Sequence, residues 1–212
     1  MQATRLIVIR HGETAWNAQT RLQGHTDIAL NEQGIWQAGQ VAQALRDEAI
    51  DAVYASDLLR AWQTANAIAH ATQAPLVAEP ALRERAFGSF EGHTYAELDT
   101  RYPEEALLWR QRDPEWTPPG GESLLTVRER ISQIASTLAN RHMGGQIVLV
   151  AHGGVLDQLY RLATGQALQA PRSWHLGNAA INRLLWTPEG FTLVGWGDTR
   201  HLEAAVLDEG SV

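Results

Sequence analysis

The chain has 212 residues, 44% of them hydrophobic, which is enough for one domain around a single large core. Seventeen basic against twenty-four acidic residues leave a formal charge of −7, which argues against nucleic acid or an anionic membrane as a partner. There is no cysteine, and all seventeen cations are arginine, so thiolate chemistry, cysteine metal ligands, Schiff bases and a Walker-type lysine are excluded.

Taken in chain order, Leu6 to Ile9 form an unbroken, β-branched apolar run that stops at Arg10-His11-Gly12. It reads as a strand buried on both faces. It begins too near the N-terminus to leave room for a signal peptide, and no apolar run is long enough to span a bilayer, so the expected compartment is the cytoplasm. Asn31 is the predicted N-cap of a helix reaching Glu48, with Ile35, Ala38, Val41, Ala42 and Leu45 at helical spacing. Ala52-Val53-Tyr54 is a short strand. Asp57 to Ala71 follows as a helix capped by Ser56 or Asp57. Pro75 to Ala78 is another strand, Leu82 to Gly92 a loop, and Thr94 to Arg112 a polar helical stretch. Pro114, Pro118, Pro119, Gly120 and Gly121 break that stretch. Ser123 to Arg141 is helical. Gln146 to Val150 is a second buried strand that runs into Ala151-His152-Gly153-Gly154, and a helix follows to Thr164. Ile181–Trp186 and Thr192–Trp196 pair as a hairpin around Pro188-Glu189-Gly190, and the last dozen residues read as a loose tail. The alternation predicts an α/β fold, a three-layer domain with a mostly parallel central sheet flanked by helices. A single domain spans 1–212, with a small helical lid inserted at about 93–120.

The chemical signal is a repeated design. Leu-Ile-Val-Ile-Arg10-His11-Gly12 and Ile-Val-Leu-Val-Ala151-His152-Gly153 are each an apolar strand, a histidine and a glycine. Ligands of open α/β sheets bind beyond the carboxyl ends of the parallel strands. One such histidine reads as a polar strand end; two in one chain read as a site. Glycine after each lets backbone approach a ligand and frees an N–H donor. Arg10 adds a planar donor fork suited to phosphate oxygens. Arg60, just inside the helix after Val53-Tyr54, can reach the same sheet edge, although alone it would read as a solvated helix residue.

Among phosphoryl chemistries, cysteine enzymes are excluded, no Asp-x-Asp pair follows a strand, and no His-Glu-x-x-His or similar spacing suggests a metal. What is left is a neutral histidine nucleophile among arginines, with a carboxylic acid to protonate the leaving oxygen.

Arg10-His11-Gly12-Glu13-Thr14, followed by Trp16-Asn17, resembles the signature of the histidine phosphatase superfamily. That group includes cofactor-dependent phosphoglycerate mutases, fructose-2,6-bisphosphatase, α-ribazole phosphatase and broad-specificity phosphatases. Arg21 to Leu30 (with Gly24 and Asp27), Tyr54 to Ala61 with Thr64-Ala65, Leu82 to Gly92, Gly121-Glu122-Ser123 and Val150 to Gly154 resemble its further blocks in the family's order. The resemblance implies a phosphoglycerate mutase-like fold and residue roles. His11 would carry the phosphoryl group. Arg10, Arg60 and His152 would hold its oxygens, with Asn17 and the Gly153 N–H nearby. Glu84 would be proton donor and then base, and Gln23 and Gly24 would line the substrate side. Glu13 is expected at a helix start and Glu91 as a supporting hydrogen-bond residue. No metal and no cofactor are called for. Trp109, Trp116 and Trp174 are the tryptophans expected near the cleft. His25 is expected as a surface-turn residue, and the remaining histidines as structural or solvated.

Mutases and phosphatases of the family share these site residues. Thr94 to Pro119 carries three arginines (Arg101, Arg110, Arg112) against six acids (Glu97, Asp99, Glu104, Glu105, Asp113, Glu115), a local charge of −3. Such a lid is expected to disfavour a second anionic group. The acid loop at 83–92 also looks more like the phosphatase branch. The expected function is therefore metal-independent hydrolysis of small-molecule phosphomonoesters. The alternative is a cofactor-dependent phosphoglycerate mutase. A phosphoprotein-binding or phosphoprotein phosphatase role ranks below both; a non-catalytic binder would be expected to lack His11, Glu84 or an arginine, and all are present. The expected partner is a small phosphorylated metabolite, with no nucleic acid and no membrane. A homodimer through an exposed sheet edge is left open.

Overall fold

The computed structural model describes residues 2–203. Its strands are β1 (Thr4–Arg10), β2 (Ala52–Ala55), β3 (Leu76–Ala78), β4 (Gln146–Ala151), β5 (Ile181–Thr187) and β6 (Gly190–Asp198). They form one sheet in the order β3-β2-β4-β1-β5-β6. The first four are parallel, and the β5–β6 hairpin continues the sheet antiparallel from β1. The two apolar runs thus lie side by side at the centre, in register from Leu6↔Ile147 to Arg10↔Ala151.

Among the described residues eight α-helices accompany them: α1 (Ala15–Ala18), α2 (Glu32–Leu45), α3 (Leu59–Thr72), α4 (Tyr95–Arg101), α5 (Pro103–Gln111), α6 (Leu124–Arg141), α7 (Gly153–Thr164) and α8 (Arg200–Glu203). Alternate strand residues face opposite layers. Leu6, Val8, Ile147 and Leu149 pack with Val127, Ile131 and Leu138 of α6 and Val155 and Leu159 of α7. Ile7, Ile9, Val148 and Val150 pack with Val41 and Leu45 of α2 and Ala61, Ala65 and Ile68 of α3. Helices cover both faces, which is why these strands carry no polar alternation. Each fully buried aliphatic side chain contributes about 1.5–3 kcal/mol. No helix among the described residues is long and apolar enough to cross a membrane.

Several local expectations need correcting. The polar helical stretch is two helices. Pro103 opens α5, and Tyr102 before it leaves the helical region at φ −137°, ψ 58°, because the proline ring crowds a helical predecessor. Neither Ser56 nor Asp57 caps α3; Leu58 is the N-cap and makes no side-chain cap bond. Both polar candidates have other partners: Ser56 bonds His152, and the Asp57 carboxylate accepts from Arg83 Nε and Nη2 at 2.7 and 2.5 Å. Ile35 points outward, 59% exposed, and Gln37 lies on the buried face of α2 instead. The capping box in which Thr14 and Asn17 start α1 is a further local motif. Of the expected tail, Arg200–Glu203 form a helical turn, and residues 204–212 lie outside the described residues.

The turn after β1 is held by close backbone packing on α2. The Asn31 side chain accepts from Gly34 N at 2.8 Å, and Asn31 N donates to Glu13 O at 3.0 Å. A Cβ on Gly34 would overlap the carbonyl oxygen of Glu13, and one on Gly12 would overlap the carbonyl oxygen of Gly34. Gly34→Ala is therefore expected to destabilise the fold by about 1–3 kcal/mol through this overlap. Urea unfolding of the variant checks it; an unchanged midpoint would show that the turn yields freely.

Candidate active site

The pairing of β1 with β4 delivers both strand-end histidines to one place. His11 N donates to Ala151 O at 3.0 Å, and the rings of His11 and His152 lie 5.2 Å apart, centroid to centroid. Both residues are buried. His11 Nδ1 sits 2.7 Å from the carbonyl oxygen of Gly12. A carbonyl can only accept, so Nδ1 carries the proton and Nε2 keeps its lone pair. His152 Nε2 lies 2.8 Å from Ser56 Oγ. With the Ser56 hydroxyl donating there, the His152 proton rests on Nδ1, which is buried with no protein partner. Burial pushes both imidazoles well below the ordinary histidine range, and the cationic Arg60 and Arg10 push the same way. Both rings are therefore neutral at physiological pH.

Two arginines flank this pair. Arg10 ends β1 and donates through Nη1 to Leu176 O at 2.5 Å. Arg60, in the first turn of α3 and 1% exposed, donates to Gly24 O at 2.8 Å and Thr26 O at 3.0 Å. Burial lowers its pKa to about 10, so it remains a cation at neutral pH. Arg10 Nε and Arg60 Nε, like His152 Nδ1, are buried donors without a protein partner. Unpaired buried donors are costly in a finished core. Three around one neutral imidazole suit a ligand with several anionic oxygens.

Glu84 is buried beside them. Its Oε1 accepts from Arg85 N at 2.8 Å and Gly154 N at 3.0 Å. Its backbone oxygen accepts from His25 Nε2 at 2.8 Å, so His25 pins the Glu84 loop. Gly153 adjoins both groups: a Cβ there would sit 3.7 Å from Arg10 Nε and 3.8 Å from Glu84 Oε2. Asn17, Gln23 and Gly24 line the same cleft. Asn17 Oδ1 accepts from Thr14 N at 3.1 Å, and Gln23 Oε1 accepts from the Thr14 hydroxyl at 3.0 Å. Gly24 has φ 52°, and a Cβ there would overlap the Glu91 carboxylate. That carboxylate accepts from His25 N, Thr26 N, the Thr26 hydroxyl and Phe87 N at 2.6–3.1 Å, knitting two loops together. Glu13 bonds Asn31 Nδ2 at 2.8 Å and does not line the cleft. All the expected site residues are thus brought together at one end of the sheet.

The cleft measures about 470 Å³, and its charged lining corrects the reading of the helical segment. None of the six acids between Thr94 and Pro119 faces it; that segment contributes Tyr95, Trp109 and Arg112. Glu97, Asp99, Glu104 and Glu105 lie on the other faces of α4 and α5, where Glu97 pairs with Arg21 and Asp99 with Arg110, and Asp113 and Glu115 lie in the loop after α5. Leu98 and Ala106 meanwhile pack against Phe90 and Leu22. A net charge summed over a helix does not say which face carries it. The cleft itself is lined by six arginines (Arg10, Arg21, Arg60, Arg85, Arg112, Arg172), with Glu84 and Asp157 as its carboxylates. Of these, Arg21, Arg85, Arg112, Arg172 and Asp157 were not singled out as cleft residues from sequence, nor was Tyr95. The one available signal was arginine used throughout in place of lysine. Trp109 lines the cleft as expected, but Trp116 and Trp174 do not. Trp116 packs on Phe90, and Trp174 stacks on Tyr160 at 4.1 Å between ring centroids. Among the described residues no group of three or more His, Cys, Asp or Glu could hold a metal ion.

The profile of the histidine phosphatase superfamily (branch 1) matches residues 6–199. Phosphoglycerate mutase-like protein 4 of Arabidopsis thaliana is 37% identical over 203 residues, covering 93% of this chain and 86% of the relative. A metal-independent phosphoserine phosphatase of Arabidopsis thaliana is 37% identical over 207 residues, covering 96% of this chain and 85% of the relative. Among solved structures, a mycobacterial glucosyl-3-phosphoglycerate phosphatase superposes with TM-score 0.82 at 31% identity, covering 92% of this chain and 99% of that one. Profile, relatives and superposition agree over nearly the whole length: the chain belongs to the histidine phosphatase superfamily, branch 1.

Proposed function

We propose that the protein is a metal-independent phosphatase that hydrolyses small phosphomonoesters through a phosphohistidine on His11. The observation that carries this reading is the neutral His11 imidazole with its proton held on Nδ1, beside three buried donors that lack protein partners. The phosphatase names of two relatives support the same class.

In this mechanism the Nε2 lone pair of His11 attacks phosphorus, and the bond from phosphorus to the ester oxygen breaks. Arg10, Arg60, the His152 Nδ1–H and the Gly153 N–H hold the equatorial oxygens as charge spreads over them. Asn17, Gln23 and Gly24 bound the substrate around that centre. Glu84 in its acid form gives a proton to the leaving oxygen, and the alcohol departs. The same residue, now a carboxylate, takes a proton from water as the water oxygen attacks the phosphohistidine. Inorganic phosphate leaves, and His11 and Glu84 return to their starting states.

A second reading has one observation in its favour. Beyond Arg10 and Arg60 the cleft carries further arginines, so a doubly anionic phosphoglycerate fits the charge. A phosphoglycerate mutase would return the phosphoryl group to a second hydroxyl of its substrate. Interconversion of 2- and 3-phosphoglycerate faster than hydrolysis, in the presence of 2,3-bisphosphoglycerate, would select it.

Three outcomes test the phosphatase. His11→Ala should nearly abolish turnover of every ester. Glu84→Gln should cost about 10²–10⁴-fold on glycerol or sugar phosphates, whose alkoxide needs a proton, and much less on p-nitrophenyl phosphate. Equal losses on both esters, with no phosphoenzyme accumulating in rapid-quench labelling, would remove Glu84 from the acid role. In the second test, kcat/KM is measured against pH. The His11 nucleophile is active when neutral, and its pKa in the fold lies well below 6.5. Protonation of His11 should therefore cost activity only well below pH 6.5. Folding stability, by contrast, should begin to fall as the pH drops through 6.5, because the unfolded chain takes up protons there that folded His11 and His152 refuse. Above pH 6.5 the two rings contribute no slope. A nucleophile titrating at or above the ordinary histidine value would contradict the buried, neutral imidazole. Third, EDTA should leave the rate unchanged; loss of activity restored by Mg²⁺ or Zn²⁺ would refute metal independence.

A further inference from the structure

The antiparallel ladder between β1 and β5 ends at Ile9↔Ile181. The chain just before β5 nevertheless stays against the end of β1, through a different set of bonds. Ala179 N donates to Arg10 O at 2.9 Å, and Asn178 Nδ2 donates to His11 O at 2.8 Å. The same amide group reaches Asn17 Oδ1 at 3.4 Å, and Leu176 O accepts from Arg10 Nη1 at 2.5 Å. We propose that residues 176–179 clamp the strand end that carries the nucleophile, and that Asn178 is a positioning residue that sets the aim of His11 at phosphorus. The inference rests on the phosphatase reading and adds to it a residue that does not line the cleft.

With this segment in place His11 has no free backbone group. Its N–H is taken by Ala151 O on the β4 side, and its carbonyl by Asn178 on the β5 side. The ring has a tie of its own, Nδ1 to Gly12 O. A shift of the backbone therefore carries Nε2 with it. An amide suits the task, because one –NH2 group offers a donor to His11 O and another to Asn17 Oδ1.

The segment is strained where it makes these bonds. Ala179 sits at φ 56°, in the left-handed region that a residue with a Cβ occupies at a cost, and it is fully buried there. Such strain persists where the surroundings over-determine the backbone, and it gathers at functional sites. Here a second tier of bonds does the fixing. His201 Nε2 lies 2.9 Å from Ala179 O, and a carbonyl can only accept, so Nε2 donates. Trp196 Nε1 donates to His175 O at 2.8 Å. Trp196 belongs to β6 and His201 to α8, whose Leu202 packs on the core shared by α2 and α3. The hairpin and the helix after it thus brace the turn that holds Arg10 and His11. Phosphoryl transfer to Nε2 is sensitive to this bracing, since a misplacement of about 1 Å costs about 10²-fold in rate.

Asn178→Leu removes the donor at nearly constant volume and leaves the Leu176 carbonyl to hold Arg10. Formation of phosphohistidine from p-nitrophenyl phosphate is followed by rapid quench, with kcat and KM measured beside it. The phosphorylation rate and kcat should fall about ten- to a hundredfold while KM stays close to the wild-type value. His201→Phe loosens the clamp from behind and should lower the same rate by less. An unchanged phosphorylation rate in Asn178→Leu would overturn the proposal. So would a fall in kcat matched by a rise in KM, which marks a site disordered as a whole. Should Asn178→Leu fail to fold, Asn178→Ser, whose side chain is too short for His11 O, carries the same expectation and the same refutation. If the wild type forms no phosphohistidine and hydrolyses no ester, the phosphatase reading fails. NMR then decides the clamp by itself: faster solvent exchange of the His11 Nδ1–H in the Asn178 variant supports it, and equal exchange refutes it.

Discussion

The parallel pairing of β1 with β4 is the contact on which the site depends. Arg10 sits opposite Ala151 in that register, so His11 and His152 leave the sheet side by side. A one-residue slip would turn every side chain of a strand to its opposite face. Both faces are apolar here, so the faces alone would not penalise a slip strongly. The helices on each side supply the discrimination, because Leu6 and Val8 fit α6 and α7 whereas Ile7 and Ile9 fit α2 and α3. The core therefore aligns the histidines. Their burial among arginines then keeps them neutral, and the proposed phosphoryl transfer requires that form of His11.

Rigid backbone contacts set the geometry around this pair. Gly12 meets Gly34, and Gly24 meets Glu91, at distances that leave no room for a Cβ. Glu91 accepts four donors from two loops, and His25 fastens the carbonyl of Glu84. These residues do no chemistry in the proposed reaction. They hold Glu84 and Arg60 in place while buried donors remain unpaired, a state that costs energy and is sustained by the packing around it.

The protein as a whole is acidic, yet its cleft is lined by arginine. The two facts are compatible because field and charge are local: acids on the outer faces of α4 and α5 are screened by water, whereas the arginines act inside a concave site of lower dielectric. Using only arginine is consistent with this arrangement. Several of these guanidinium groups are tied to backbone oxygens, such as Leu176 O, Gly24 O, Glu122 O and Leu168 O, while keeping other N–H groups free. A lysine has no such fixed fork.

Much of this was legible in the residues themselves. Unbroken apolar runs ending in His-Gly name buried parallel strands with histidines at their carboxyl ends, because strand burial and the polarity of strand ends are local properties. The cap Asn31 was readable for the same reason: a capping side chain bonds backbone two or three residues away. Motif order pointed to His11, Arg10, Arg60, His152 and Glu84, which the fold gathers at one end of the sheet. Other features were decided by the fold alone. Ser56 and Asp57 look like helix caps until His152 and Arg83, far along the chain or across a loop, claim their oxygens. The helical segment looks acidic until packing of Leu98 and Ala106 turns its acids outward and Arg112 inward. Arg85 and Arg172 lie 87 residues apart in the numbering and carry no shared motif. Local pattern dictates which atoms a residue offers; only the folding of distant segments against one another determines which of those atoms face the same space.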